Sequence, residues 1–174
     1  FYTRLIKDKR VDRSVTKNMK LFISGSAPLL TETHQDFYNI TGHQILERYG
    51  MTETNMNTSN PFHGERKAGS VGKPLKDINI RINKTKGYKN TVHNEIGMIE
   101  IMGPNVFKGY LNNSKKTQEA FTKDGYFITG DIGYFDEDGY LFIAGRNKDL
   151  IISGGFNVYP KEIEDVINKH KSVI

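Results

Sequence analysis

"KLFISGSAPLLTETHQDFYNITGHQILERYG", residues 20–50, decides the fold class of this chain. A short apolar run, Lys20–Ser24, stops at Gly25, the pattern of a buried strand running into a loop. His34, Phe37 and Ile40 then recur at helical spacing behind Thr31, whose hydroxyl suits an N-cap. Gly42 closes that helix, and "QILERYG" reads as a second strand. Strand, helix and strand in this order predict a parallel, right-handed crossover. Open α/β sheets of this kind collect ligands beyond the carboxyl ends of their strands. Two loops, Gly25–Pro28 and Gly50–Thr54, are therefore candidate ligand loops on topology alone.

Working outward, residues 1–18 alternate bulky apolar and basic side chains and read as helix with a break. From Gly69 onward the texture changes to short strands: "INIRI", "IGMIEI", "YFITG" and "YLFIAG". Asp124-Gly125 and Asp138-Gly139 fall between such segments as hairpin turns. A small β-barrel or sandwich with a short helix near Lys115–Phe121 is expected there. After Arg146 comes a polar joint, Asn147–Asp149, then "LIIS", then Gly154 and Gly155. Pro160 opens an amphipathic helix, since proline's fixed φ and missing N–H are harmless in a first turn. The expected organisation is α/β: residues 1–68 end an α/β domain, 69–147 form the β subdomain, and 148–174 form the joint and the start of a small α+β domain.

Composition narrows the function classes. With no cysteine the chain has no disulfide framework, thiolate nucleophile or cysteine metal site, which suits a reducing compartment such as the cytoplasm, with an organelle left open. Lysine and arginine total 25 against 20 acids, a net charge of +5. Many lysines stand singly in asparagine-rich loops such as "NKTKGYKNTVHNE", with no aromatic-interleaved basic stripe. A solvated lysine-rich surface and a small anionic ligand fit this better than nucleic acid. No apolar run approaches the ~18 residues of a membrane span. The five histidines lack zinc-ligand spacing. The absence of an initiating methionine raises the expectation of a segment from a longer protein.

Three constellations carry chemistry, each with a plain structural alternative. "YGMTETN" places a tight turn, a hydroxyl and a carboxylate after a strand, where they can meet a phosphate and Mg²⁺, or act as a strand-to-helix cap. "SGSAPLL" offers backbone that can line a flat ring, or an ordinary turn. "TGD" and "GR" place Asp131 and Arg146 on either side of a hairpin, where they can grip a vicinal diol or brace the hairpin as an ion pair. "DEDG" lacks the interleaved ligands of a calcium loop and reads as a turn.

In order, "SGSAPL", "ERYGMTET", "GSVGKPL", "GPNVFKGY", "DGYFITGD" and "GRNKDLIISGGFNVYPKEIE" resemble the acyl-adenylate-forming superfamily of CoA synthetases, peptide-synthetase adenylation domains and luciferases. "LFISGSAPLLTETH" with "ILERYGMTETNMNTSNP" is most similar to its malonyl-CoA synthetase branch. The resemblance implies a carboxylate activated by ATP as an acyl-adenylate and then passed to CoA after rotation of a small C-terminal domain. It implies that Ser26, Ala27 and Pro28 pass along the adenine, with Tyr49 and Gly50 against the nucleotide. Thr52 would contact phosphate, Glu53 would hold Mg²⁺, and Asp131 and Arg146 would grip the ribose. Arg48 and Met51 would face the acyl substrate, with Arg48 either pairing with the distal carboxylate of malonate or standing as a strand-end arginine that faces solvent or pairs with Glu47. Lys148 falls at the hinge, and Gly154 and Gly155 on the CoA-side loop. The family's glycine-rich phosphate loop and its adenylation lysine would lie outside these residues, so the isolated piece is expected to be inactive. A general fatty- or aryl-acyl-CoA ligase is the alternative within the family, and a non-catalytic anion-binding module the alternative outside it.

Overall fold

The computed structural model describes residues 1–84, 96–154, 156–168, 170 and 172–173. Two short helices, α1 (Tyr2–Lys7) and α2 (Arg13–Thr16), precede β1 (Ile23–Ser24), confirming the broken helix. Helix α3 (Thr31–Thr41) follows and returns the chain to β2 (Leu46–Met51). Strands β1 and β2 pair in parallel, Ile23 beside Leu46 and Ser24 beside Glu47, as a strand–helix–strand unit requires. β3 (Asn55–Ser59) and β4 (Lys73–Pro74) extend this sheet antiparallel, in the order β1-β2-β3-β4.

Helix α3 buries Thr33, His34, Phe37 and Thr41, the face its spacing implied. Phe37 packs edge-on to Tyr2 and Phe22 beside fully buried Ile45. His34 is structural: its Nε2 lies 3.1 Å from the Ile45 carbonyl, and burial holds its pKa below the usual value. Gly42 caps α3 at a φ of 76°, its N–H donating to the Tyr38 carbonyl.

Three local expectations need correction. The N-cap of α3 is Leu30, without a side-chain cap bond, and Thr31 is already helical. Only Ile23 and Ser24 of the run Lys20–Ser24 pair as strand, and Ile23 is exposed rather than buried, the neighbouring Phe22 packing on Phe37 instead. No helix follows "YGMTETN": Thr52–Thr54 make a tight turn between β2 and β3, so the strand-to-helix cap is excluded.

The second sheet is an antiparallel meander, β5 (Asn79–Asn83), β6 (Gly97–Met102), β7 (Phe127–Phe135) and β8 (Leu141–Arg146), with α4 (Ser114–Glu119) between β6 and β7. Among the described residues it stays open, since β5 pairs only with β6 and β8 only with β7 among the named strands. No closed barrel forms among the described residues, and Tyr49 of the first sheet and Val71 pack on the apolar face. Ile99, Ile101 and Leu141 form one buried cluster with Tyr49 of β2, flanked by Val71 and Ile143. Ser70 and Val71 stitch the two units at Leu141, whose carbonyl accepts from the Ser70 hydroxyl and the Val71 N–H. "DEDG" is a turn as read; the cation on Asp136 and Asp138 is the Lys67 ammonium, at 2.6 and 2.5 Å.

Beyond β8 a single turn of tight helix, Asn147–Asp149, leads into the hairpin β9 (Ile151–Ser153) and β10 (Phe156–Val158), then α5 (Pro160–Asn168) with Pro160 in its first turn. No described helix is long and apolar enough to cross a membrane.

Candidate active site

The parallel register of β1 and β2 sets their carboxyl ends side by side, so loops 25–28 and 50–54 open onto one region. A cleft of about 330 Å³ there is walled by Ser26, Ala27 and Pro28, by Arg48, Tyr49, Gly50 and Met51, and by Asp131 and Arg146 from the second sheet. An adjoining, more open cleft of about 850 Å³ holds Thr52, Glu53, Tyr110 and Thr129, and shares Ser26, Gly50, Met51 and Arg146 with the first. Nine of the sequence-predicted residues thus converge on the first cleft, and Thr52 and Glu53 on the second.

Strained and crowded backbone concentrates here. Ser26 has a φ of 73°, a left-handed conformation that costs an L-residue about 1–3 kcal/mol and clusters at ligand sites. Gly50 sits at the β2–β3 irregularity, where a Cβ would lie 2.0 Å from the Asn55 carbonyl oxygen. The glycine is required by close approach of two backbones, and that approach turns Thr52 and Glu53 toward the second cleft.

Asp131 and Arg146 are register partners across β7 and β8. Their ion pair is formed, Arg146 Nε to Asp131 Oδ1 at 2.9 Å. Arg146 also donates to the Thr129 carbonyl at 3.3 Å. The Tyr49 hydroxyl donates to Asp131 Oδ2 at 2.5 Å. Burial pushes the Asp131 carboxyl above its usual range, with the Tyr49 bond and the Arg146 charge opposing. The phenol of Tyr49 is raised as well, by burial first and then by the Asp131 charge. The bracing ion pair and the diol clamp are thus compatible: each carboxylate oxygen keeps a lone pair after the internal bonds, and half-exposed Arg146 keeps donors facing the cleft.

Arg48 is exposed on the cleft wall, its stem alongside Gly25, and has no ion pair among the described residues. It does not pair with Glu47, which is buried and accepts from the Gly69 N–H at 2.9 Å. Burial pushes the Glu47 carboxyl up to about 7, against the Gly69 bond and the charge of Lys161.

Around Glu53 the donor set is one carboxylate and neighbouring hydroxyls, and no group of three or more acid or histidine side chains forms a metal cage among the described residues. Mg²⁺ ordinarily takes one or two carboxylates plus phosphate oxygens and waters, so the residues present fit an ion brought in with a nucleotide. Glu53 Oε1 accepts from the Tyr110 hydroxyl at 3.1 Å, and Oε2 has no protein partner among the described residues.

Lys148 lies in the tight turn after β8, and Gly154 adopts a φ of 58° at the β9–β10 hairpin; neither lines either of these two clefts. Gly155 lies outside the described residues. The sequence reading missed Glu47 and Tyr110, and it missed Asp149, Lys161 and Glu164, which also line the first cleft. Tyr110 lies in a block that was matched without a role, and Lys161 and Glu164 are an i, i+3 pair on the first turns of α5.

The architecture and its clustered residues define an adenylate-forming enzyme fold. The chain belongs to the AMP-binding enzyme family, whose model matches residues 1–111. A malonate–CoA ligase of Arabidopsis thaliana is 42% identical over 99% of this chain and 29% of its own length. A long-chain-fatty-acid–CoA ligase of Bacillus subtilis is 36% identical over 99% of the chain and 31% of its own. The ATP-bound crystal structure of MatB from Rhodopseudomonas palustris superposes with a TM-score of 0.93 at 54% identity, covering 99% of this chain and 34% of that one. The chain therefore spans about a third of the relatives it matches.

Proposed function

We propose that the full-length protein is an ATP-dependent acid–CoA ligase whose acid is malonate or a similar short dicarboxylate. The observation that carries the substrate is Arg48, a guanidinium with no ion pair among the described residues, on the same cleft wall as Tyr49, Asp131 and Arg146. A fatty acyl chain gives such a group no partner, whereas the distal carboxylate of malonate accepts from it bidentately. The Arabidopsis malonate–CoA ligase supports the choice of acid, and the long-chain-fatty-acid–CoA ligase and ATP-bound MatB support only the ligase class and the nucleotide.

In the proposed reaction the nucleotide base lies along Ser26–Pro28 and Tyr49, and Asp131 with Arg146 holds the ribose diol. The substrate carboxylate attacks the α-phosphorus, forming the mixed anhydride and expelling pyrophosphate. Positioning and nearby cationic or N–H donors supply most of the catalysis in such a step. Mg²⁺ bound through Glu53 and the phosphates would offset their charge, and Thr52 donates from the same turn. The CoA thiol then attacks the acyl carbon, loses its proton and releases AMP. Lys148 is proposed as the pivot between the two steps, at the boundary between residues 69–147 and 148–174, with Gly154 and Gly155 brought toward the thiol. The cytoplasm, which supplies ATP and free CoA, is the proposed setting.

The test compares malonate, acetate and octanoate as substrates of ATP–pyrophosphate exchange by the full-length protein and its Arg48→Ala variant. Loss of a charge-assisted pair predicts a fall of about 10- to 100-fold on malonate, with acetate and octanoate little changed. An equal loss on all three substrates would remove Arg48 as the selecting residue.

A further inference from the structure

The segment between β6 and α4 grips the Glu53 turn at three points. Asn105 Nδ2 donates to the Thr54 carbonyl at 2.5 Å and reaches the Met56 carbonyl at 3.2 Å. The Phe107 N–H donates to the Glu53 carbonyl at 2.8 Å. The Tyr110 hydroxyl donates to Glu53 Oε1 at 3.1 Å. The bonds from Asn105 and Phe107 go to backbone carbonyls of the turn and the start of β3, and only the Tyr110 bond touches the carboxylate.

Tyr110 is itself held. Its ring meets Phe107 edge-on at 4.9 Å, the Lys116 ammonium lies 4.2 Å over its face, and its N–H donates to Thr117 Oγ1 at 2.9 Å. Gly109 permits this, because a Cβ there would lie 2.5 Å from Thr117 Cγ2. Helix α4 is thereby tied to Tyr110, and Tyr110 to Glu53.

From this arrangement we infer that Tyr110 is a positioning residue for the metal carboxylate. A glutamate side chain on a turn samples many rotamers, and ordering it at the moment of binding would weaken the site. The phenol fixes Oε1 in advance and leaves Oε2, which has no protein partner among the described residues, for an ion in the cleft that both residues line. Hydrogen-bond partners behind a metal ligand commonly change metal affinity in this way. The inference rests on the proposed metal role of Glu53.

The experiment uses the full-length protein with a non-hydrolysable ATP analogue, following bound Mn²⁺ by its paramagnetic resonance signal. Tyr110→Phe, which removes only the hydroxyl, is expected to weaken Mn²⁺ in the nucleotide complex roughly fivefold to tenfold. Metal-free nucleotide affinity and the melting temperature of the unliganded protein are expected to stay as in wild type. Unchanged Mn²⁺ affinity overturns the inference, as does a loss matched by equal losses in metal-free nucleotide affinity and melting temperature. Glu53→Gln serves as the control, and its failure to weaken Mn²⁺ overturns the inference together with the metal role. The substrate reading fails separately. A variant-sensitive Mn²⁺ site in a protein inactive on malonate leaves the Tyr110 role standing, and a malonate-active protein with variant-insensitive Mn²⁺ removes it.

Discussion

Tyr49 and Asp131 are 82 residues apart and sit in different sheets, yet the Tyr49 hydroxyl meets Asp131 Oδ2 at 2.5 Å. The bond ties the end of the β1-β2 ligand loops to the β7–β8 pair that carries Arg146. It also holds a carboxylate that burial disfavours in its charged form. The two partners therefore differ in what their removal does.

Tyr49→Phe takes away a donor from a buried carboxylate, a loss of about 1–3 kcal/mol. A lower melting temperature and weaker nucleotide binding are expected together. Asp131→Asn removes the charge that burial opposes and keeps an acceptor for Tyr49. Its melting temperature is expected to hold or rise while nucleotide affinity falls about tenfold or more, the pattern of a group kept for function at some cost in stability. Calorimetric binding of ATP beside thermal unfolding checks both, and a destabilised Asp131→Asn protein with intact nucleotide binding would show the carboxylate to be a brace only.

Gly50→Ala tests the close approach of β2 and β3. The new methyl would meet main-chain atoms, Asn55 O at 2.0 Å and Met56 Cα at 3.1 Å, which cannot swing aside as a side chain does. The hairpin must open, and Thr52 and Glu53 move with it. The expected result is destabilisation of about 1–3 kcal/mol with a loss of adenylation exceeding any loss of carboxylate binding. Wild-type exchange rates in Gly50→Ala would mean that the turn tolerates displacement.

Much of this was legible along the chain because local signals agreed with one another. The α3 spacing, the glycine at its end and the run "QILERYG" all pointed to one strand–helix–strand unit, and the loops it implied are the loops that meet. Asp131 and Arg146 were legible as a pair because a hairpin places them in register. The conformation of Ser26 was not legible, since nothing in "GSAP" requires a non-glycine residue at a φ of 73°. Tyr110 and Glu47 were missed for a related reason: their roles rest on tertiary contacts to Glu53 and Gly69, at sequence separations of 57 and 22. Whether the short strands close as a barrel or lie as an open, sandwich-like sheet was not legible, because strand count and turn spacing do not reveal whether edge strands pair with each other.

The last prediction concerns Glu47 and pH. The residue is about 5% exposed, and its carboxyl accepts from the Gly69 N–H and is pushed up from an ordinary value of 4.5 to about 7 by burial. Below about pH 4.5 the group is protonated whether the chain is folded or not, and it does not affect stability. Between 4.5 and 7 the unfolded chain ionises while the folded one keeps its proton, so the unfolded state gains as pH rises. Above 7 both are ionised and the loss is complete. At about 1.4 kcal/mol per unit of displacement, the total is on the order of 3 kcal/mol. Glu47→Gln keeps an oxygen for the Gly69 N–H and removes the titration, so its melting temperature should gain on wild type by several degrees between pH 4.5 and 8, at about 2–4 °C per kcal/mol. Thermal unfolding of both proteins across that range decides the matter, because the other titrating groups are common to the two. Parallel curves would mean that Glu47 reaches water in solution or is kept ionised by the Lys161 charge.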